Sequence, residues 1–203
     1  MENGEIFRKV FHLCAPAFLV YYLVPADAWG LLPSVEGVLE PREVLLLAVL
    51  AVVLAEEAVR LKMGWSVFGM RPYERGKMAA HAWAGMGITI GFLLFPMAMV
   101  VAVVFGMAWV DPLMGYLRRQ RPNLYPLVPL VAYWLIASAA LLIQGTMNPF
   151  LAVEIAFVAG CAAILCESPR LDHLDDDFLL LTIPLAAVWL AYHAFRAMGY
   201  FFL

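Results

Sequence analysis

Apolar and polar positions follow one another along this chain in long blocks, and the apolar blocks set the expected architecture. Seven of them approach the length of about 20 apolar residues that a membrane-spanning helix needs. They cover residues 10–32, 44–61, 78–95, 97–110, 124–143, 149–165 and 178–195. Only Pro96 separates the third block from the fourth, so if both cross the membrane, the join at Phe95-Pro96 is a tight turn.

Composition agrees with the block pattern. Hydrophobic residues make up 65% of the 203 residues and charged residues 14%, and the mean hydropathy is +0.85. These values lie far outside the range of soluble globular domains. The sequence therefore predicts an all-α, polytopic integral membrane protein with about seven transmembrane helices, forming a single membrane-embedded domain over residues 1–203.

The distribution of positive charge predicts the orientation. If all seven blocks cross, 11 of the 13 lysines and arginines fall on the side of the N-terminus, and only Arg42 and Arg196 fall on the other. Lysine and arginine are retained on the cytoplasmic side of membranes. We therefore expect a cytoplasmic N-terminus, with the functional residues gathered at the cytoplasmic face.

The opening stretch EIFRKVFH carries one polar stripe. Glu5, Arg8, Lys9 and His12 are spaced i, i+3, i+4 and i+7, which places them on one face of a helix. Arginine and lysine alone are typical of a positive-inside anchor. A glutamate and a histidine on the same face indicate a site at the membrane interface instead.

Two later stretches combine acids with arginines. In WVDPLMGYLRRQRP, Asp111 is expected to end a helix, Gly115 permits a turn, and Arg118 follows close behind. In CESPRLDHLDDDF, Glu167 and a run of aspartates occupy a short connection between two apolar blocks. Carboxylates suit a hard cation and guanidinium groups suit phosphate, so both stretches are compatible with a metal–phosphate site. A polar helix end and a solvated acidic loop are the alternatives.

Taken together, these residues resemble the membrane-embedded, CTP-dependent lipid kinases that include dolichol kinase, phytol kinase and a fungal-type diacylglycerol kinase. The resemblance rests on motifs in the order of that family. They are the E-x-x-R-K-x-x-H stripe, Glu74 ahead of a glycine-bearing helix that ends in Leu94-Phe95-Pro96, Asp111 with Gly115, and Glu167-Ser168-Pro169 followed by Asp176-Asp177.

The resemblance implies phosphoryl transfer from CTP, with Mg²⁺, to a prenyl alcohol of the dolichol, phytol or geranylgeraniol type. It implies catalytic roles, metal ligands and nucleotide contacts as follows: Glu5, His12, Asp111 and Asp176 are catalytic; Asp111, Glu167, Asp176 and Asp177 bind the metal; Arg8, Lys9, Glu74, Gly115 and Arg118 bind the nucleotide. The expected partners are the lipid substrate, a nucleoside triphosphate and the bilayer, with no nucleic acid; homo-oligomerisation stays open.

Two other classes of function remain open. A membrane cytidylyltransferase that makes a CDP-linked lipid, such as CDP-archaeol synthase, also carries aspartates and basic loops on the cytoplasmic side. A transporter or an accessory membrane subunit could use the same residues to bind an anion or a partner, although transporters usually place polar groups near the bilayer midplane. The short connection after Asp111 also leaves the choice between CTP and ATP open.

Overall fold

The structure, a computed structural model, describes residues 9–23, 39–67, 69–70, 72–167 and 174–199. This part of the chain contains seven helices. They are α1 (Lys9–Leu23), α2 (Pro41–Met63), α3 (Ala80–Leu94), α4 (Met97–Gln120), α5 (Leu127–Gln144), α6 (Pro149–Glu167) and α7 (Asp176–Ala197). Short 3₁₀ segments cover Ala15–Leu19 within α1, and Pro72–Gly76 and Pro122–Leu124 between helices.

Local sequence signals explain where several helices begin and end. α2 starts with a capping box, in which the backbone N–H of Glu40 donates to the Glu43 carboxylate at 2.8 Å, and Pro41 occupies the first helical position. The same helix ends at Gly64, whose φ of 70° is a left-handed conformation that glycine adopts at little cost. α7 begins after Asp175, whose side chain accepts a hydrogen bond from the backbone N–H of Asp177.

Four helices, α4 to α7, are long and apolar enough to cross a membrane. α1 and α3 are apolar but shorter. α2 is 23 residues long, yet its second half carries Glu56, Glu57, Arg60 and Lys62. The chain is thus an all-helical protein whose composition and helix lengths fit a membrane, and the count of seven spans stays a prediction.

The core is centred on α4, whose buried side chains pack against α5 and α7. Close approach of α4 and α5 depends on Gly106, because a Cβ atom at that position would overlap the ring of Tyr133. At the far end of the same pair, the Gln144 side chain donates to the carbonyl of Ala98 at 3.3 Å. The end of α5 therefore lies beside the start of α4, and the two helices are antiparallel.

The outer surfaces of α5, α6 and α7 are apolar. Leu135, Ile143, Phe150, Leu165 and Leu190 are all more than half exposed. A continuous apolar exterior of this kind is unfavourable in water and suits contact with lipid.

One predicted boundary is confirmed and another is wrong. α3 ends at Leu94 and α4 begins at Met97, so the helix does break at Phe95-Pro96. The fourth helix, however, does not end at Val110, because α4 continues to Gln120 with Pro112 inside it. Neither Asp111 nor Gly115 marks a turn. Burial of Met114 and Leu117 explains why the helix continues, since their packing offsets the hydrogen bond that Pro112 cannot donate.

Candidate functional site

Three polar side chains from three helices meet at one end of the bundle. His12 lies near the start of α1, Asp111 lies within α4, and Asp177 lies in the first turn of α7. One nitrogen of His12 and one oxygen of each aspartate all lie within 4.8 Å of one another. His12 Nε2 is 3.4 Å from Asp177 Oδ1, and His12 and Asp177 are only 9% and 8% exposed. We call this group the triad.

The fold holds the triad through contacts of its three helices. The 3₁₀ segment of α1, one turn after His12, packs against α4, and α4 packs against α7. Leu180 and Leu181 are buried one turn after Asp177 and anchor the start of α7 in the core. The triad is therefore built on packed helices, which position side chains more rigidly than loops do.

The triad concentrates negative charge. Among the described residues, neither aspartate forms an ion pair with a lysine or an arginine, and His12 is the basic group that faces them. Two neighbouring carboxylates with little exposure to water repel each other unless a proton or a cation neutralises them. Carboxylate oxygens are the ligands that Mg²⁺ prefers, so Asp111 and Asp177 fit that ion, and the His12 nitrogen fits it less well.

A second cluster on α2 has its charge balanced internally. Arg60 donates to both carboxylate oxygens of Glu57, at 2.6 and 2.7 Å, and both residues are 1% exposed. Arg60 also donates to the backbone carbonyl of Lys77 at 2.7 Å, and the backbone N–H of Ala79 donates to Glu57 at 2.6 Å. This bidentate pair fastens the end of α2 to the connection that leads into α3.

His81, in the first turn of α3, extends the second cluster. Its Nε2 lies 3.2 Å from Glu56 Oε2 and 4.0 Å from Glu57 Oε2, so the three residues also have the spacing of a metal site. Glu56 is exposed, and Glu57 is already engaged by Arg60 and by the backbone of Ala79. The Glu57 oxygens are therefore less available to a metal ion than the carboxylate oxygens of Asp111 and Asp177.

Members of both clusters line one cavity of about 290 Å³: His12 and Asp177 of the triad, and Glu56 and His81 of the second cluster. Its polar lining comes from His12 and Asp177 on one side and from Glu56, Glu74 and His81 on the other. The remaining lining is almost entirely apolar and includes Phe11, Phe18, Ala84, Ile88, Val104, Met107 and Leu181. A cavity with charged groups at one end and hydrocarbon along its length suits an amphiphilic ligand.

Arg118 and Glu167, which were predicted to bind nucleotide and metal, contact each other. Arg118 Nη2 lies 2.8 Å from Glu167 Oε2 and donates to the Glu167 carbonyl at 3.2 Å. The hydroxyl of Tyr125 donates to the same carboxylate at 3.2 Å. This arrangement ties the end of α6 to α4 and to the connection between α4 and α5, and the role of Glu167 as a metal ligand stays a prediction.

The other predicted site residues are distributed as follows. Glu74 is buried and lines the cavity, and its role in nucleotide binding stays a prediction. Lys9 is half-buried at the start of α1, and Asp176 is exposed beside the buried Asp177. Gly115 lies inside α4, where its carbonyl accepts from Arg119 at 3.0 Å. Glu5 and Arg8 lie outside the described residues.

Several residues of this region were not predicted to belong to a site. Glu57, Arg60 and His81 form the second cluster, and Tyr125 contacts Glu167. The local signal for the Glu57–Arg60 pair is the i, i+3 spacing of a glutamate and an arginine on one face of α2. The cavity depends on contacts between helices and has no such local signal.

Comparisons with protein-family models, with curated proteins and with solved structures give no match.

Proposed function

We propose that this protein transfers the terminal phosphoryl group of a nucleoside triphosphate to the hydroxyl of a long-chain prenyl alcohol. The observation that carries the proposal is the position of the triad at the polar end of an otherwise apolar cavity. A lipid hydroxyl placed there would lie among groups able to accept its proton, while its chain lay among hydrocarbon side chains. The resemblance of the sequence motifs to CTP-dependent lipid kinases favours CTP as the donor.

In the proposed reaction the alcohol oxygen forms a bond to the terminal phosphorus, and the bond from that phosphorus to the bridging oxygen breaks. The nucleoside diphosphate leaves with the electron pair of that bond. The hydroxyl proton passes to the His12–Asp177 pair, in which the carboxylate orients the imidazole and stabilises its charged form. Positioning and charge neutralisation supply most of the catalysis in such a transfer.

Asp111 and Asp177 are the residues that would hold Mg²⁺, which when bound neutralises charge on the phosphate oxygens. The role of these residues does not depend on Glu167, whose carboxylate already contacts Arg118 and Tyr125. We expect Glu74 to face the nucleotide from the opposite side of the cavity. The basic groups of the opening stripe would contribute the phosphate contacts that the resemblance assigns to Arg8 and Lys9.

We further propose that the site lies at the cytoplasmic face of a multi-pass membrane protein. His12, Asp177, the Arg60–Glu57 pair and the Arg118–Glu167 pair lie near helix ends that the charge distribution predicts to be cytoplasmic, and Asp111 meets His12 and Asp177 from within α4. A water-soluble triphosphate and a lipid hydroxyl can meet only near such an interface. Beyond the polar groups the cavity lining is apolar, which supports lipid chemistry over the transport of an ion.

The test is a transfer assay on purified full-length protein. γ-Labelled CTP and ATP are offered separately, with Mg²⁺ and either prenyl alcohols or diacylglycerol. Label in a prenyl phosphate supports the proposal, and its dependence on CTP identifies the donor. Formation of a CDP-lipid from a phosphorylated acceptor would indicate that the protein is a cytidylyltransferase instead. Absence of both products, with folded protein, would overturn an enzymatic function of either kind.

A further inference from the structure

The cavity follows the helix axes away from the polar groups. On α4, Met107 and Val104 stand four and seven residues before Asp111, so they occupy the same face one and two turns deeper. On α3, Ala84 and Ile88 stand three and seven residues after His81. Seven helical residues span about 10 Å. The apolar part of the cavity therefore extends two helical turns below the charged end.

The cavity also reaches the surface through an apolar rim. Phe11 and Phe18 of α1 line it with their rings 6.3 Å apart, and they are 47% and 44% exposed. Val67 also lines the cavity and is 47% exposed, and its carbonyl accepts a hydrogen bond from the backbone N–H of Met70 at 3.2 Å. Exposed aromatic and aliphatic side chains of this kind are stable against lipid.

The volume restricts what can bind. A cavity of about 290 Å³ lies at the lower end of the range of about 300–1,000 Å³ that is usual for small-molecule sites. Its walls are packed helices, and Val104, Met107 and Leu181 are each at most 3% exposed. One hydrocarbon chain can lie along such a passage, whereas two chains joined at one headgroup would need a wider one.

We propose that a single-chain lipid alcohol enters from the bilayer between α1 and the Val67–Met70 turn, and that Ala84 and Val104 set the width available to its chain. This inference rests on the proposed function for the identity of the headgroup. The path of the chain and the choice of Ala84 and Val104 rest on the residues that line the cavity and its rim. We expect diacyl and diether lipids to be excluded, because the volume of the cavity lies at the lower end of the range for small-molecule sites.

Photolabelling of the purified full-length protein in detergent tests the passage without any phosphoryl transfer. The probe is a single-chain primary alcohol whose diazirine lies about 10 Å along the chain from the hydroxyl, which is the depth of the apolar part of the cavity, and peptide mass spectrometry locates the adduct. We expect labelling of Ile88, Val104 or Leu181, and competition by the unlabelled single-chain alcohol but not by diacylglycerol. Labelling confined to outward side chains such as Leu135, or equal competition by diacylglycerol, would overturn the inference.

Variants sharpen the test. Ala84 lines the cavity and is only partly buried, so Ala84→Phe should fill the passage and reduce labelling of the cavity at least tenfold. The matched control is Ala51→Phe on the exposed side of α2, which should leave labelling unchanged. If Ala84→Phe does not fold, Val104→Ala provides the opposite change and should increase the labelling by a methyl-branched probe. Unchanged labelling in whichever cavity variant folds would contradict the assignment.

The two proposals fail in different ways. Labelling inside the cavity without transfer of phosphate to any alcohol would support the lipid passage and overturn the proposed kinase activity. Transfer of phosphate to prenyl alcohols with labelling only on the outer surface would support the kinase activity and overturn the lipid passage.

Discussion

The two histidine–carboxylate clusters that border the cavity use similar residues and differ in how their charge is balanced. In the cluster on α2, Glu57 meets the guanidinium group of Arg60 in a bidentate pair that is almost fully buried. In the triad, Asp111 and Asp177 face His12, and no lysine or arginine of the described residues pairs with either aspartate. Glu57 thus has a permanent cation beside it, whereas the basic group that the structure describes beside the two aspartates is a histidine, which is charged only when it is protonated.

This difference distinguishes a structural role from a functional one. Removing one partner of a buried ion pair leaves an uncompensated charge and destabilises the fold. Removing one of two repelling carboxylates relieves an unfavourable interaction, so its retention is better explained by chemistry than by stability. The two clusters should therefore respond in opposite ways to loss of charge.

Arg60→Met should produce the largest loss of stability. The substitution keeps an unbranched side chain but leaves the Glu57 carboxylate buried without its cation, which typically costs about 3–5 kcal/mol. Reversible denaturation in mixed micelles measures the free energy of unfolding. Lys62→Met, at an exposed position of the same helix, is the matched control and should change little. A loss below about 1 kcal/mol for Arg60→Met would show that the pair does not fasten the fold.

Asp111→Asn should abolish activity without lowering stability. The isosteric amide removes a charge that faces Asp177, so we expect unchanged or higher thermal stability together with a loss of transfer rate of about a hundredfold or more. The transfer assay and thermal unfolding are measured on the same preparation. Glu154→Gln, an exposed acid on α6, serves as the control with normal activity. Full activity of Asp111→Asn would exclude the triad from the reaction.

Magnesium should stabilise the folded protein by binding at the triad and not at the cluster on α2. A ligand that binds only the folded state at about ten times its dissociation constant raises the free energy of unfolding by about 1.4 kcal/mol. Thermal unfolding with and without Mg²⁺ should show this increase in the unmodified protein and in Glu56→Gln. The increase should disappear in Asp177→Asn. Its persistence in Asp177→Asn, with loss in Glu56→Gln, would place the ion at the second cluster.

Glu56→Gln should have the smallest effect. Its contact with His81 at 3.2 Å is exposed, and such pairs contribute about 0.2–1 kcal/mol to stability. We expect a stability change within that range and near-normal transfer activity. A large loss of activity without loss of stability would show that the rim of the cavity takes part in the reaction.

The helices were largely predictable, since each of the seven predicted blocks overlaps a helix of the described chain. Apolar length and flanking residues suffice for such predictions, because a helix satisfies its own backbone hydrogen bonds wherever it lies. The fourth boundary was wrong because a proline after Asp111 favours a helix end locally, while burial of Met114 and Leu117 favours continuation. Only the packed structure shows which of the two effects prevails.

The site was predictable in part. His12, Asp111 and Asp177 were each selected for their chemistry, but the sequence did not separate Asp177 from its neighbour Asp176. The first turn of α7 turns Asp177 inward and leaves Asp176 exposed. In the same way, Glu167 was predicted to be a metal ligand, and the sequence did not show that its carboxylate contacts Arg118 and Tyr125.

By itself the sequence determined the helical class, the extent of most helices, the apolar exterior and the polar residues available for chemistry. These properties follow from composition and periodicity, which act over a few turns of chain. Tertiary structure alone decided which acids meet a histidine, which acid meets an arginine, and that both clusters share one apolar cavity. Such choices depend on contacts between residues that lie far apart in the chain, as for His12 with Asp177 and Arg118 with Glu167, and no local pattern records them.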